Sequence, residues 1–143
     1  MAVRGDGNIA EDGFQYASDL ILSIRNSFFD VAIYVAGYPE KPEEFKYLQD
    51  KISCGINGVI TQICFDSNKI ANFANSLKLP TLSGLILPNE KTFSFAKKLN
   101  IELPQNIENP DDFLTNQIAN LTKLGLKHFH FYTLNNIDNL LSC

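Results

Sequence analysis

The stretch Asn57-Gly58-Val59-Ile60-Thr61-Gln62-Ile63-Cys64-Phe65-Asp66 decides the fold. Its apolar core, from Val59 to Ile63, is short and rich in β-branched residues, and Gly58 marks its start. That composition suits a strand buried on both faces. Asp66 then offers a side-chain N-cap, and Ile70, Phe73 and Leu77 follow at helical spacing. The ten residues therefore read as the strand and the turn of one β-α unit. Gln62, an amide inside an otherwise apolar run, is the anomaly.

The same unit recurs outward in both directions. Val31-Ala32-Ile33-Tyr34-Val35-Ala36 is closed by Gly37, Leu82-Ser83-Gly84-Leu85-Ile86-Leu87 ends at Pro88, and Lys127 to Thr133 forms a later run. Met1-Ala2-Val3 reads as the tail of another strand. Helical patterns lie between them: Tyr16, Leu20, Ile21 and Ile24; Phe45, Leu48 and Ile52; Phe93, Phe95 and Leu99 behind Asn89 or Glu90; and Leu114, Ile118 and Leu121, opened by Asp111 or Asp112 and stopped at Gly125. Asn136 to Leu141 reads as a final helical turn or two, and 101–111 is irregular. Strands starting at 31, 57 and 82 are about 25 residues apart, which fits one β-α unit each. Such alternation predicts an α/β fold with a parallel sheet and outer helices. It does not by itself separate a barrel from a doubly wound sheet.

In either architecture the C-terminal strand ends share one edge, where ligands bind. Arg4-Gly5-Asp6-Gly7, Gly37-Tyr38-Pro39-Glu40, Thr61-Gln62, Pro88-Asn89 and Tyr132-Thr133-Leu134-Asn135 all fall there. Loops are polar in any case, but Gln62 inside a strand points to a ligand-facing rim.

Composition narrows the remaining classes. The 143 residues carry formal charge -4 with lysines scattered singly, which argues against a nucleic-acid surface. No apolar run approaches a membrane span, and the N-terminus lacks the apolar segment of a secretory signal. Cys54, Cys64 and Cys143 form no CxxC, so neither a disulfide framework nor a zinc site is expected, and a cytoplasmic thiol state follows. His128 and His130 share a strand face, where packing or hydrogen bonding is favoured over a metal pair with no third ligand. Cys64 reads as a small buried hydrophobe. Lys51, late in a helix, suits either the helix dipole or a solvated face. No G-x-G-x-x-G or Walker pattern follows Gly5 and Gly7.

Six segments, in order, resemble the methylenetetrahydrofolate reductase family: Arg4-Gly5-Asp6, Tyr16-Ala17-Ser18-Asp19-Leu20, Ala36-Gly37-Tyr38-Pro39-Glu40, Lys51 before Gly55, Ile60 to Asp66, and His130 to Asn135. The resemblance implies part of a TIM (β/α)8 barrel, about five parallel strands with outer helices, forming a single domain over 1–143 that matches the family's C-terminal part. It implies FAD-dependent reduction of 5,10-methylenetetrahydrofolate to 5-methyltetrahydrofolate by ping-pong hydride transfer from NAD(P)H. By the same resemblance Val3, Arg4, Gly5, Asp6, Tyr16, Ala17, Tyr38 and Lys51 are flavin contacts. Asp6 tunes the flavin, and Lys51 neutralises the pyrophosphate. Asp6, Gln62 and Phe93 face the folate.

The sequence also departs from the family. A (β/α)8 barrel needs about 250 residues. The family's first strands, with the glutamate that acts as general acid, have no counterpart here, and Met1 falls where the family has a mid-strand apolar residue. Lys41-Pro42 stands where the family has a histidine soon after Tyr-Pro-Glu, and Asn136 stands where it commonly has arginine. The resemblance thus implies an N-terminal complement chain or a homo-oligomer as partner. The alternative is a degenerate fragment that at most binds flavin or folate.

Overall fold

The computed structural model describes residues 13–28 and 30–135. Helix α1 (Ala17–Ser27) leads into strand β1 (Tyr34–Gly37), and a single 3-10 turn (Pro42–Glu44) opens α2 (Phe45–Ser53). Then follow β2 (Gly58–Thr61), α3 (Ser67–Ser76), β3 (Thr81–Leu85), α4 (Glu90–Lys98), α5 (Pro110–Lys123) and β4 (Phe129–Phe131). The anticipated strand at Met1–Val3 and the final helical turn from Asn136 lie outside the described residues.

All neighbouring strands pair in parallel, in the order β1-β2-β3-β4. Spatial order equals chain order, with none of the reversal that defines a doubly wound sheet. Right-handed crossovers that always step the same way leave their helices on one face of the sheet. The described strands therefore form an arc of barrel wall, as the resemblance implies.

Register separates the two faces. Val35, Val59, Thr61, Ser83 and Leu85 point toward the helices and are wholly buried. Val35 and Val59 pack with Ile21 of α1 and Leu48 of α2, while Leu85 packs with Ile70 of α3 and with Leu114 and Leu121 of α5. Gly37 lets the Phe73 ring of α3 press against the strand, since a Cβ there would strike that ring and Val59. Across the sheet, Tyr34, Ala36, Ile60, Leu82 and His130 are only half-buried. The expectation that the strands are buried on both faces is met on the helix side of β1 to β3, while in β4 Phe129 is half-buried and Phe131 exposed. The inner face is apolar without being covered by the described residues.

Helix starts follow the sequence closely. The Asp66 carboxylate accepts the Asn68 and Lys69 N–H groups at 2.8 and 3.2 Å, and Asn89 caps α4 through the Thr92 N–H at 3.0 Å. Helix α5 begins earlier than Asp111: the Asn109 side chain accepts from Asp111 and Asp112, with Pro110 in the first turn. Proline's fixed φ and missing N–H suit that position. At the opposite end of the sheet, Arg25 clamps three segments. It donates to the Gly55 carbonyl at 2.9 and 2.7 Å, to Val31 O at 2.6 Å and to Asn57 Oδ1 at 2.5 Å.

Candidate functional site

The strand C-termini build one rim. Tyr38 follows β1, Gln62 follows β2 and Tyr132 follows β4. The parallel ladder continues through them, since Gln62 N–H donates to Gly37 O at 2.7 Å and Tyr132 N–H to Leu85 O at 2.8 Å. The Tyr132 ring lies across Gly84, and its hydroxyl donates to Thr61 O at 3.1 Å. Any side chain at position 84 would collide with that carbonyl and that ring. Burial, with the nearby Tyr38 phenol, raises the Tyr132 pKa, so the group stays a neutral donor. His130 packs edge-on against Tyr132, ring centroids 4.7 Å apart.

Tyr38 stands between two shallow clefts. One is shared with Gln62, Glu40, Ile63 and Ile101. The other, barely open, is shared with Ala36, Gly37, Glu44 and Lys51. Lys51 projects from the last turn of α2 into the second cleft. Its partial burial lowers its pKa, opposed by the Glu44 carboxylate. Among the described residues it forms no close ion pair. A desolvated ammonium of this kind is stabilised by an anion placed beside it. Lys41 lies over the other part of the site, its Nζ 5.5 Å from the Tyr38 ring centre.

A second layer holds the rim loops. The Glu40 carboxylate lies 3.6 Å from Lys69 Nζ and accepts the Glu102 N–H at 3.1 Å, and the Cys64 thiol points at it from 3.7 Å. Lys69 also pairs with Glu102 at 2.6 Å. Buried Gln117 of α5 donates to Cys64 O at 2.8 Å. Cys64 is 1% exposed, and burial pushes its thiol up to about 12.

The structure therefore places Tyr38 between Gln62, which lines the first cleft, and Lys51, which lines the second. Phe93 sits behind it, edge-on to Phe65 at 6.1 Å in the cluster that also borders Tyr132. Tyr16 and Ala17 begin α1, whose start faces the rim end because a crossover helix runs antiparallel to its strands. Tyr16 is half-exposed and touches Gln15, while Ala17 is buried. Val3, Arg4, Gly5 and Asp6 lie outside the described residues. Asn89, a rim residue in the sequence, spends its side chain on the α4 cap. Sequence reasoning passed over Tyr132 as a site residue and missed the Glu40–Lys69–Glu102 network. The alternation of His130 and Tyr132 on one strand face was the available signal for the first. Nothing in the spacing announces the second, which joins residues 29 and 33 positions apart in a chain folded back on itself.

The donor set fits a flat heteroaromatic group carrying an anionic tail: an aromatic wall, a carboxamide, a neutral phenol and a half-buried ammonium. FAD has that chemistry. A sequence model described as methylenetetrahydrofolate reductase matches residues 1–142. The chain is 31% identical to methylenetetrahydrofolate reductase 2 of Saccharomyces cerevisiae, an alignment covering 94% of this chain and 29% of that protein. It is 28% identical to the 5,10-methylenetetrahydrofolate reductases of Buchnera aphidicola (subspecies Schizaphis graminum) and Escherichia coli. Those alignments cover 99% and 96% of this chain, and 59% and 56% of the relatives. The chain thus spans between three-tenths and three-fifths of the length of these curated relatives.

Proposed function

This chain belongs to the methylenetetrahydrofolate reductase family, and from that premise we propose that its rim forms part of the FAD and folate site of a reductase. The reaction is reduction of 5,10-methylenetetrahydrofolate to 5-methyltetrahydrofolate with NAD(P)H, in the cytoplasm, with 1–143 acting as one domain. Bound FAD supplies the hydride relay between the nicotinamide and the folate.

The observation that carries this reading is that Tyr38 lies between a cleft lined by Gln62 and a second cleft lined by Lys51. Lys51 neutralises the pyrophosphate, and its desolvation strengthens that interaction. Tyr38 walls the flavin, with Tyr16 and Ala17 at the same end of the molecule. Gln62 presents both a donor and an acceptor to the pterin edge. Val3, Arg4, Gly5 and Asp6 complete the flavin side, Asp6 setting the local charge, and Phe93 lies toward the folate.

Catalysis in this reading requires the family's remaining barrel strands, which these 143 residues do not contain and which a relative's N-terminal half can supply in a test. The second reading is a non-catalytic flavin- or folate-binding piece, favoured by Lys41-Pro42 and Asn136 at positions where the family carries contact residues. Co-expression with the N-terminal half of the Escherichia coli relative separates them. A yellow complex that oxidises NADH in a folate-dependent way supports the reductase. A yellow complex without turnover supports the second reading, and a colourless complex that also binds no folate overturns both.

A further inference from the structure

We propose that Glu40 is a positioning residue: its carboxylate joins three rim loops and so fixes Tyr38 and the cleft that Tyr38 shares with Gln62. The inference rests on the flavin reading only for its effect on affinity.

The geometry is that of a clamp. Glu40 is nearly buried, its side chain 13% exposed, and both oxygens are engaged. Oε2 accepts the Glu102 N–H of the segment between α4 and α5. Oε1 faces Lys69 on α3 and the Cys64 thiol in the β2–α3 loop. A carboxylate this deep is costly unless charge and hydrogen bonds compensate it. Lys69 supplies the charge, and its second bond to Glu102 closes the triangle. Fixing Glu40 fixes Tyr38, because only Pro39, with its locked φ, lies between them. The turn is closed by Lys41 N–H donating to Tyr38 O at 3.1 Å. The clamp touches no ligand directly. It sets where the Tyr38 ring stands relative to Gln62.

Glu40→Ala removes both links. Glu40→Gln keeps an acceptor for the Glu102 amide and loses the charge facing Lys69. Amide hydrogen exchange on the full chain reads the clamp without any ligand. In Glu40→Ala, exchange at Glu102 and Lys41 accelerates about tenfold or more, and Glu40→Gln restores part of the protection. Arg25→Met, at the far end of the sheet, is the control: it lowers the melting temperature and leaves the difference between these two amides and their neighbours unchanged. Unchanged exchange at Glu102 and Lys41 in Glu40→Ala overturns the proposal. FAD titration in the presence of the N-terminal half of the Escherichia coli relative gives the second readout. The dissociation constant rises about tenfold in Glu40→Ala and less in Glu40→Gln. Should wild-type complex bind no FAD, the flavin reading fails while the exchange result still decides the clamp. Should wild type bind and Glu40→Ala bind equally well, the clamp does not set the cleft and the proposal fails alone.

Discussion

In the proposed site, burial turns Lys51, an ordinary surface residue type, into a group suited to an anion. Its desolvation is unfavourable in the free protein and is relieved by an anion. The charged form binds the anion, so FAD affinity falls on the alkaline side as Lys51 loses its proton. With its pKa lowered from 10.5, that fall starts below the usual lysine range, and a pH series of FAD titrations measures it. Cys64 is the opposite case. Its thiol, raised by burial to about 12, stays protonated and shielded, so alkylation of native protein at neutral pH leaves it unmodified while the unfolded chain reacts. Mass mapping after brief treatment with a maleimide tests this. The unfolded thiol loses its proton near pH 9 while the folded one keeps it, so stability falls as pH rises from about 9 to 12. Tyr132, also raised, adds to that fall, and Lys51, shifted downward, partly offsets it. Urea melts across this range show the slope, and Cys64→Ala flattens it.

At the scale of the element, local chemistry and tertiary packing each leave a measurable signature. Asp66→Ala removes two capping bonds from the start of α3 and costs about 1 kcal/mol in urea denaturation. Arg25→Met, which unties the Gly55, Val31 and Asn57 segments, costs about 2 kcal/mol. The first effect was legible in the sequence and the second was not. Asp66 announces itself by preceding a helical period, whereas Arg25 reaches partners 30 and 32 residues away. The same contrast runs through the site. Gln62 is conspicuous because an amide breaks an apolar run, whereas Tyr38 stands out only through the resemblance of Gly37-Tyr38-Pro39-Glu40 to the family. Glu40 read as one more acid in a polar loop, and only the folded chain shows its carboxylate wedged between Lys69 and the Glu102 amide. Asp111 and Asp112 both look like caps for α5 in the sequence, while Asn109, with Pro110 in the first turn, fills that role.

For the whole molecule, the consequence lies in the two faces of the sheet. Strand runs apolar on both sides imply cover on both sides. Helices bury Val35, Val59 and Leu85 completely, while Ile60 and Leu82 opposite remain half-buried among the described residues. Partly exposed apolar surface of this kind favours association. Sedimentation velocity of the isolated chain is therefore expected to show species larger than the 16.0 kDa monomer, converting to a defined complex when the complementary barrel portion is added. A monodisperse monomer that ignores the complement contradicts that expectation.

The central claim is that Tyr38, Lys51 and Gln62 act together to hold FAD. Titration of FAD into the chain with its barrel complement, wild type against Lys51→Met, tests it most directly. Saturable binding that weakens about tenfold on loss of the ammonium is the predicted result. Equal affinity in the two proteins, or no binding by the wild type, contradicts the account.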